Sequence, residues 1–357
     1  MKKLPQEIIE KISDFEAESE LSLPGFALEK DYFVLDAITL IQALPASPDF
    51  RFVFCGGTCL AKAYGILHRM SEDVDFKLLP TEATAQLPKT ALRRKLSTFV
   101  KNVITTLEEG GFEKDSITRH SLDSNRYSGL DVEYESAFSK PSSLRPHLLL
   151  ELNYSILRAP TETHKVGLLF DKLTSGSYQS PIEIECVSLR EALAEKLVSF
   201  PRRLALQLQK ENNDKPLDPS SGWDKALVRH LYDVHQIIQS TSAAKSNADN
   251  LAQILLNVIA NDAIEFKNQH PQFYLTPLTQ LNDALTWANG SAELKVQYDA
   301  FVADMVYAPP ANTPSFGEAL DVFSKTLITT FTSIEPKNIA TEMVRLCNQR
   351  KLFSKSG

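Results

Sequence analysis

The chain has 357 residues, of which 43% are hydrophobic and 23% are charged, and this is typical of a folded protein with two domains rather than of a disordered chain. No run of eighteen apolar residues occurs and no apolar core follows the first lysines, so neither a membrane span nor a secretory signal is predicted. The formal net charge of −7 argues against a general nucleic-acid coat, but it allows a local basic surface that binds RNA.

Two helices are predicted in the first part of the chain, where apolar residues recur with helical spacing over residues 5–45. The β-prone run Phe52–Cys55 then stops at Gly56-Gly57, which predicts a buried strand entering a tight turn. We expect Thr58 to cap the next helix, which should extend to about Gly65.

The following segments alternate between strands and a helix. An amphipathic helix is predicted over residues 87–109, ending at Gly110-Gly111. Strands are predicted at residues 73–78, 129–134, 147–154 and 182–187.

From Ser188 onward the pattern is helical, with a polar loop predicted at residues 211–222. The expected fold class is therefore α+β, with a mixed sheet and helices in a domain over residues 1–187. A helical C-terminal domain is expected over residues 188–357.

The cysteines Cys55, Cys59, Cys186 and Cys347 form neither a CxxC pair nor a zinc-binding spacing. We expect them to be reduced thiols, which are typical of a cytoplasmic protein. Cys55 and Cys59 flank the glycine turn and are expected to be small buried residues. The histidines show no metal-binding spacing either.

Two aspartates, Asp73 and Asp75, are two residues apart in a predicted strand, so their side chains point to the same face. Neighbouring carboxylates repel each other unless a cation lies between them, and oxygen ligands of this kind suit Mg²⁺. At Gly56 and Gly57 the absence of side chains lets backbone N–H groups approach an anion, and Thr58 follows at the start of the helix. The combination predicts an NTP site, with phosphates on the turn and Mg²⁺ at the aspartates.

These motifs resemble the AbiEii/AbiGii toxin family of type IV toxin–antitoxin and phage-defence systems, within the polymerase-β-type nucleotidyltransferase superfamily. Gly56-Gly57-Thr58 followed by Arg69-x-Ser71-x-Asp73-x-Asp75-Phe76 resembles the nucleotidyltransferase signature. Segments 28–32, 191–197 and 229–233 resemble three further segments of the family, and the likeness spans roughly residues 25 to 240 and, more loosely, the rest of the chain. The family's intervening arginine corresponds to Arg202 or Arg203.

The resemblance implies a Mg²⁺-dependent nucleotidyltransferase toxin that moves NMP from an NTP to an acceptor hydroxyl. It further implies tRNA as the acceptor, at its 3′ end, with blocked translation as the result, and a cognate antitoxin encoded alongside. Two alternatives stay open: nucleotidylation or phosphorylation of a protein hydroxyl, and a catalytically inactive binding module.

Lys196 falls inside the apolar stripe of its helix, together with Leu193, Leu197 and Phe200. A lysine there must extend to solvent or meet an anion, and next to the nucleotide motif we expect it to contact the triphosphate. Asp233 lies four residues after Arg229, on the helix face opposite an apolar stripe. The resemblance implies that Asp233 is an acidic or positioning residue of the site.

A third carboxylate is expected where two metal ions activate the attacking hydroxyl. Glu151 is the candidate, because it is the one acid in an otherwise apolar strand, and Asp131 and Glu133 are its competitors. Ser71 and Arg69 are candidates for fixing the aspartates from behind.

A basic strip is the candidate RNA-binding surface. Its predicted members are Arg93, Arg94, Lys95, Lys101, Arg202 and Arg203. An ordinary solvated helix face is the alternative interpretation of the same charges.

Overall fold

The computed structural model describes residues 1–18, 23–139, 145–174, 180–212, 224, 226–240 and 248–352. The chain divides into two compact units, with the boundary between Ser188 and Leu189. The first contains a mixed sheet with helices, whereas the described part of the second is helical. The fold class is α+β, as predicted.

One seven-stranded sheet organises the first unit, in the order β3-β4-β5-β2-β1-β7-β6. β2 pairs in parallel with β5, and β1 pairs in parallel with β7, whereas the remaining neighbours are antiparallel. The strands are β1 (Phe50–Cys55), β2 (Asp73–Pro80), β3 (Ile117–Leu122), β4 (Tyr127–Glu133), β5 (His147–Tyr154), β6 (Glu162–Val166) and β7 (Ile182–Cys186).

The two strands that the sequence did not predict, β3 and β6, are the two edges of this sheet. An edge strand has one neighbour and exposes more of its surface, so it needs no apolar alternation. Both strands are accordingly polar, and their residues are mostly exposed or half-buried. The predicted strands lie at interior positions, where burial imposes the pattern that sequence analysis detects.

Six helices are described in the first unit, and two of them carry much of its core. The buried side chains of α2 and α5 cluster with Val74, Phe76 and Leu78 of β2 and with alternate residues of β5. The helices are α1 (Gln6–Glu18), α2 (Gly25–Gln42), α3 (Gly56–Lys62), α4 (Glu82–Ala85), α5 (Lys89–Glu109) and α6 (Leu169–Thr174).

The second unit contains the long helix that carries Lys196, and the helices that follow it. These helices are α7 (Leu189–Asn212), α8 (Arg229–Ser240), α9 (Ala248–Glu265), α10 (Pro271–Leu275), α11 (Pro277–Gly290), α12 (Ala292–Met305), α13 (Phe316–Phe331) and α14 (Pro336–Leu352). The predicted loop at 211–222 is wrong for residues 211 and 212, which extend α7. Residues 213–222 lie outside the described part of the chain.

Candidate active site

Asp73 and Asp75 lie on the same face of β2. Val74, between them, and Phe76, the next residue after Asp75, are fully buried in the core. Across the parallel neighbour β5, Asp75 is opposite Glu151 and Asp73 is opposite Leu149. Directly opposite residues of paired strands project to the same side of the sheet. Asp73, Asp75 and Glu151 therefore share one face.

The competing acids of β4 lie farther from the aspartates. Asp131 is opposite Leu149, one strand beyond β5, and Glu133 is opposite His147. Asp131 also contacts two histidines: its carboxylate lies 2.7 Å from His120 Nε2 and 3.4 Å from His147 Nε2. Strand register thus places Glu151, rather than Asp131 or Glu133, beside Asp75.

Tyr127 holds the Glu151 carboxylate, donating a hydrogen bond from its hydroxyl to Oε1 at 2.5 Å. Burial raises the pKa of Tyr127, and the Glu151 carboxylate raises it further, so the phenol keeps its proton and acts as the donor. The role of Tyr127 is not predictable from the sequence, because nothing in its local pattern indicates a partner 24 residues away.

The glycine turn fits tightly against Asp75. Gly56 has a φ of 76°, a conformation that L-residues with a side chain rarely adopt. A Cβ atom at Gly56 would overlap the Asp75 carboxylate, and one at Gly57 would lie 2.5 Å from the Arg69 guanidinium. The missing side chains therefore bring the turn, the aspartate and Arg69 into close contact.

Thr58 does not cap α3, which begins at Gly56 with Cys55 as its N-cap residue. The Thr58 hydroxyl contacts Ser71 Oγ at 2.9 Å and donates to the backbone carbonyl of Asp73. Sequence analysis assigned this hydroxyl to the helix end because the β1–β2 contact is not visible in a local pattern. Its observed position ties the turn to the start of β2. The helix ends at Lys62, short of the predicted end near Gly65.

Arg69 and Ser71 support the turn from behind. Arg69 is buried and donates to the Met70 carbonyl at 2.9 Å, and Ser71 reaches the Asp73 backbone through Thr58. Cys55 and Cys59 are buried and reduced, as predicted. Burial, followed by the neighbouring Cys186, raises the pKa of Cys59, so its thiol stays protonated.

Arg145 is the second residue that sequence analysis missed, and its guanidinium forms an ion pair with Asp73. Burial lowers the pKa of Arg145, but Asp73 and Glu72 outweigh this effect and raise it above its ordinary value. No local signal indicates this contact, because the two residues are 72 positions apart in the chain.

The backbone of Arg145 is bound by a buried ion pair. Glu72 accepts the Arg145 backbone N–H at 2.9 Å, and Lys30 donates to the Arg145 carbonyl at 2.8 Å. Lys30 and Glu72 also contact each other at 2.8 Å, and both are almost fully buried. Helix α2 thus fixes the segment just before β5 against the start of β2.

The donor set fits a divalent cation. Mg²⁺ prefers oxygen ligands and is commonly held by one or two carboxylates together with substrate phosphates and water. Asp73 and Asp75 supply such carboxylates, and the room for the Asp75 carboxylate exists because Gly56 has no Cβ. Among the residues that the structure describes, no group of three or more His, Cys, Asp or Glu is arranged to hold an ion. Asp73 instead contacts Arg145, and Glu151 contacts Tyr127.

In the second unit, Lys196 Nζ donates to Asp233 Oδ2 at 2.7 Å. Lys196 is 9% exposed and Asp233 is 1% exposed, so the pair is buried. By the helical count Asp233 lies opposite the apolar stripe of α8, and it is buried there together with the stripe residues Leu231 and Val234. Its lysine partner allows a carboxylate to be accommodated inside. Leu193, Leu197 and Phe200 are buried beside Lys196, as the helical count predicted.

The predicted basic strip separates into two kinds of residue. Arg93, Arg94, Lys95 and Lys101 are exposed on α5, and Lys95 contacts Asp49 at 3.0 Å. Arg202 is buried, bonded to Asp262 at 3.0 Å and stacked over the Phe266 ring, whereas Arg203 pairs with Asp224. Burial against acidic and aromatic partners removes Arg202 from the predicted RNA surface.

Comparison with known proteins identifies the family of the chain. The profile of the family described as nucleotidyl transferase AbiEii toxin, type IV TA system, matches residues 40–322. The chain belongs to this family. It is accordingly a nucleotidyltransferase, as the motifs predicted. The AbiEii toxin family implies an NTP substrate and a cognate antitoxin.

A solved structure shares the overall fold of this AbiEii family member. The protein is MenT4, a nucleotidyltransferase toxin from Mycobacterium tuberculosis H37Rv, at 15% sequence identity and a TM-score of 0.50 over 99% of each chain. No curated protein sequence matches. No helix in the described part of the chain is long and apolar enough to cross a membrane.

Proposed function

We propose that this chain is a Mg²⁺-dependent toxin that transfers NMP from an NTP to the 3′-terminal hydroxyl of tRNA and so blocks translation. The observation that carries the proposal is the register that sets Asp75 opposite Glu151, next to a glycine turn that only fits without a Cβ. Family membership supplies the reaction class.

In the proposed reaction, the acceptor hydroxyl oxygen attacks the α-phosphorus of the NTP and pyrophosphate leaves. Asp73 and Asp75 would hold the divalent cation, with Glu151 beside them. When bound, such an ion neutralises charge on the phosphates and lowers the pKa of the attacking hydroxyl. Glu151 helps activate the hydroxyl by accepting its proton, and Tyr127 keeps the receiving carboxylate oriented.

The triphosphate is assigned to two groups of residues. Backbone N–H groups of Gly56, Gly57 and Thr58 are the first group, with Ser71 supporting the turn through the Thr58 hydroxyl. From the family resemblance alone, we also assign Lys196 to the phosphates. Asp233 positions the Lys196 ammonium, and it keeps this charge stable in a buried setting.

The exposed arginines and lysines of α5 support RNA as the acceptor. Arg93, Arg94 and Lys101 project from one long helix into solvent, where a nucleic-acid backbone can reach them. The tRNA acceptor implies action in the cytoplasm, and the type IV family implies an antitoxin encoded alongside and a role in phage defence.

Incubation with each α-³²P-labelled NTP, total tRNA and a protein lysate tests the proposal. We expect label on tRNA, none on tRNA whose 3′ end has been oxidised with periodate, and none in EDTA. Asp75→Asn should abolish labelling, whereas Asp321→Asn, at an exposed ion pair on α13, should not. Label on protein instead of RNA would contradict the acceptor, and an active Asp75→Asn enzyme would contradict the metal site.

A second comparison tests the RNA surface. Arg93→Glu together with Arg94→Glu should weaken labelling of tRNA without changing affinity for Mg²⁺-saturated tripolyphosphate, because the two changes remove phosphate contacts to RNA only. Lys295→Glu, on an exposed face of α12, is the matched control. Unchanged labelling of tRNA by the double variant would mean that the charged face of α5 is an ordinary solvated surface that does not bind RNA.

A further inference from the structure

We propose that Arg145 is a substrate-binding residue with two successive partners: Asp73 in the metal-free enzyme, and the triphosphate of the metal-bound NTP afterwards. The inference rests on the proposed cation site at Asp73 and Asp75. It adds a residue that neither the glycine turn nor the acidic motif contains.

The anchoring of Arg145 is the first observation. Its backbone N–H and carbonyl are bound by Glu72 and Lys30, at 2.9 and 2.8 Å, and that ion pair is itself buried. The Cα atom of Arg145 is therefore held beside the start of β2 whatever its side chain does. A residue that only neutralised Asp73 would not need a backbone fixed in this way.

The freedom of the side chain is the second observation. The Arg145 side chain is 41% exposed, whereas Lys30 and Glu72 beneath it are 1% and 3% exposed. An ion pair with that much solvent access holds its partners weakly. The guanidinium can therefore leave Asp73 without disturbing the buried contacts that fix its backbone.

The position of the guanidinium creates a conflict with metal binding. Arg145 Nη1 contacts Oδ1 of Asp73, so the guanidinium and a cation would compete for the negative charge of the same carboxylate. The positive charge of Arg145 also repels an incoming divalent ion. Loading of the site therefore weakens this ion pair and favours movement of the guanidinium away from Asp73.

The triphosphate that arrives with the cation is a strong new partner for the displaced guanidinium. Arginine presents a planar set of donors that matches phosphate oxygens in a bidentate arrangement. When Asp73 binds the metal, Arg145 loses its carboxylate partner. A phosphate group then takes the place of that partner. Arg145 thus opposes the bare cation but favours the cation together with the nucleotide.

Opposite shifts in two binding constants test the proposal. Arg145→Met should bind Mn²⁺ alone about five- to tenfold more tightly than the wild type, measured by electron paramagnetic resonance, because the competing charge is gone. The same variant should bind Mg²⁺-saturated tripolyphosphate about tenfold more weakly in calorimetry, because a charged hydrogen-bond donor is lost. A purely structural role would not move the two affinities in opposite directions.

Controls separate this proposal from the proposed function. Arg145→Lys should restore both affinities in part, and Arg119→Met, on β3 with Ser121 and Ser128 as partners, should change neither. Equal Mn²⁺ binding by wild type and Arg145→Met would overturn the competition, and unchanged tripolyphosphate binding would overturn the second contact. Absence of Mn²⁺ binding in every variant would instead contradict the metal site at Asp73 and Asp75. It would therefore contradict both the proposed function and the proposed role of Arg145.

Discussion

At the scale of single residues, the acids of the candidate site are held by unlike partners. Arg145 pairs with Asp73, Tyr127 donates to Glu151, and the Gly56 turn closes on Asp75. A charged partner can be displaced by a cation, whereas a neutral phenol orients a carboxylate without removing its charge. The three carboxylates therefore differ in what they can do, although they share one sheet face.

Gly56→Ala should destabilise the protein by about 3 kcal/mol or more, because a positive φ and an overlap with the Asp75 carboxylate both oppose the new methyl group. Gly65→Ala is the matched control, since Gly65 has a φ of 66° but nothing within 4 Å of its added Cβ. It should cost only about 1–2 kcal/mol. Thermal unfolding of the two variants measures the difference, and equal losses would mean that the close approach to Asp75 is not a constraint.

Lys196→Met should lower the free energy of unfolding by about 3–5 kcal/mol, because it leaves the buried Asp233 carboxylate without its 2.7 Å partner. The double variant Lys196→Met/Asp233→Asn should recover most of that loss. Lys325→Met, at an exposed pair with Asp321, should cost less than about 1 kcal/mol. Urea unfolding gives these values, and a stable single variant would show that Asp233 is satisfied by other contacts.

At the scale of elements, the two-residue repeat of β2 places its candidate catalytic acids on one face and its buried apolar residues on the other. Asp73 and Asp75 face one side, and Val74 and Phe76 are buried in the core on the other. Helix α2 contributes charge to this core as well as apolar area: Glu29, Lys30 and Asp31 are all buried. Lys30 pairs with Glu72, and Asp31 pairs with Lys62 at 2.6 Å on α3. These contacts fix the end of α3 and the start of β2 against α2.

The junction of α9 and α10 should show a pH-dependent stability. Burial lowers the pKa of His270 below its usual 6.5, although Gln280 opposes this effect. Below pH 6.5 the unfolded chain takes up a proton that folded His270 refuses, so this contribution to stability is lost as the pH falls. The free energy of unfolding of the wild type, relative to that of His270→Phe, should fall from pH 7 to pH 5, by up to about 1.4 kcal/mol per pH unit. If the unfolding midpoints of wild type and His270→Phe differed by the same amount at pH 7 and pH 5, His270 would not be a neutral, buried histidine.

At the scale of the whole molecule, the residues discussed above are found in both compact units. The first holds the acids and the glycine turn, and the second holds the Lys196–Asp233 pair. The AbiEii profile covers residues from both units, so the family is defined by the whole arrangement rather than by the sheet alone.

Expression of the full chain in bacteria should arrest growth, because a transferase that modifies a shared component of translation acts catalytically at low copy number. Asp75→Asn should permit growth at the same protein level, and Asp321→Asn should arrest growth as the wild type does. Growth curves with immunoblots for protein level provide the measurement. Arrest by Asp75→Asn would mean that toxicity does not come from nucleotidyl transfer.

Features that depend on local repeats are predictable from the amino-acid sequence. The twofold repeat set Asp73 and Asp75 on one face, and the apolar spacing of α7 put Lys196 among buried residues. Interior strands and most helices followed from the same periodicities, because burial imposes a local pattern. The family was identifiable for the same reason, since its motifs are short and contiguous.

The tertiary structure alone decided which distant residues meet. Strand register places Glu151, rather than Asp131, opposite Asp75. Long-range contacts pair Asp73 with Arg145, 72 positions away, and Lys196 with Asp233, 37 positions away. The polar edge strands β3 and β6 likewise appear only when the sheet is assembled. The physical reason is that periodicity states which way a side chain points, whereas pairing between distant segments is set by the packing of the whole core.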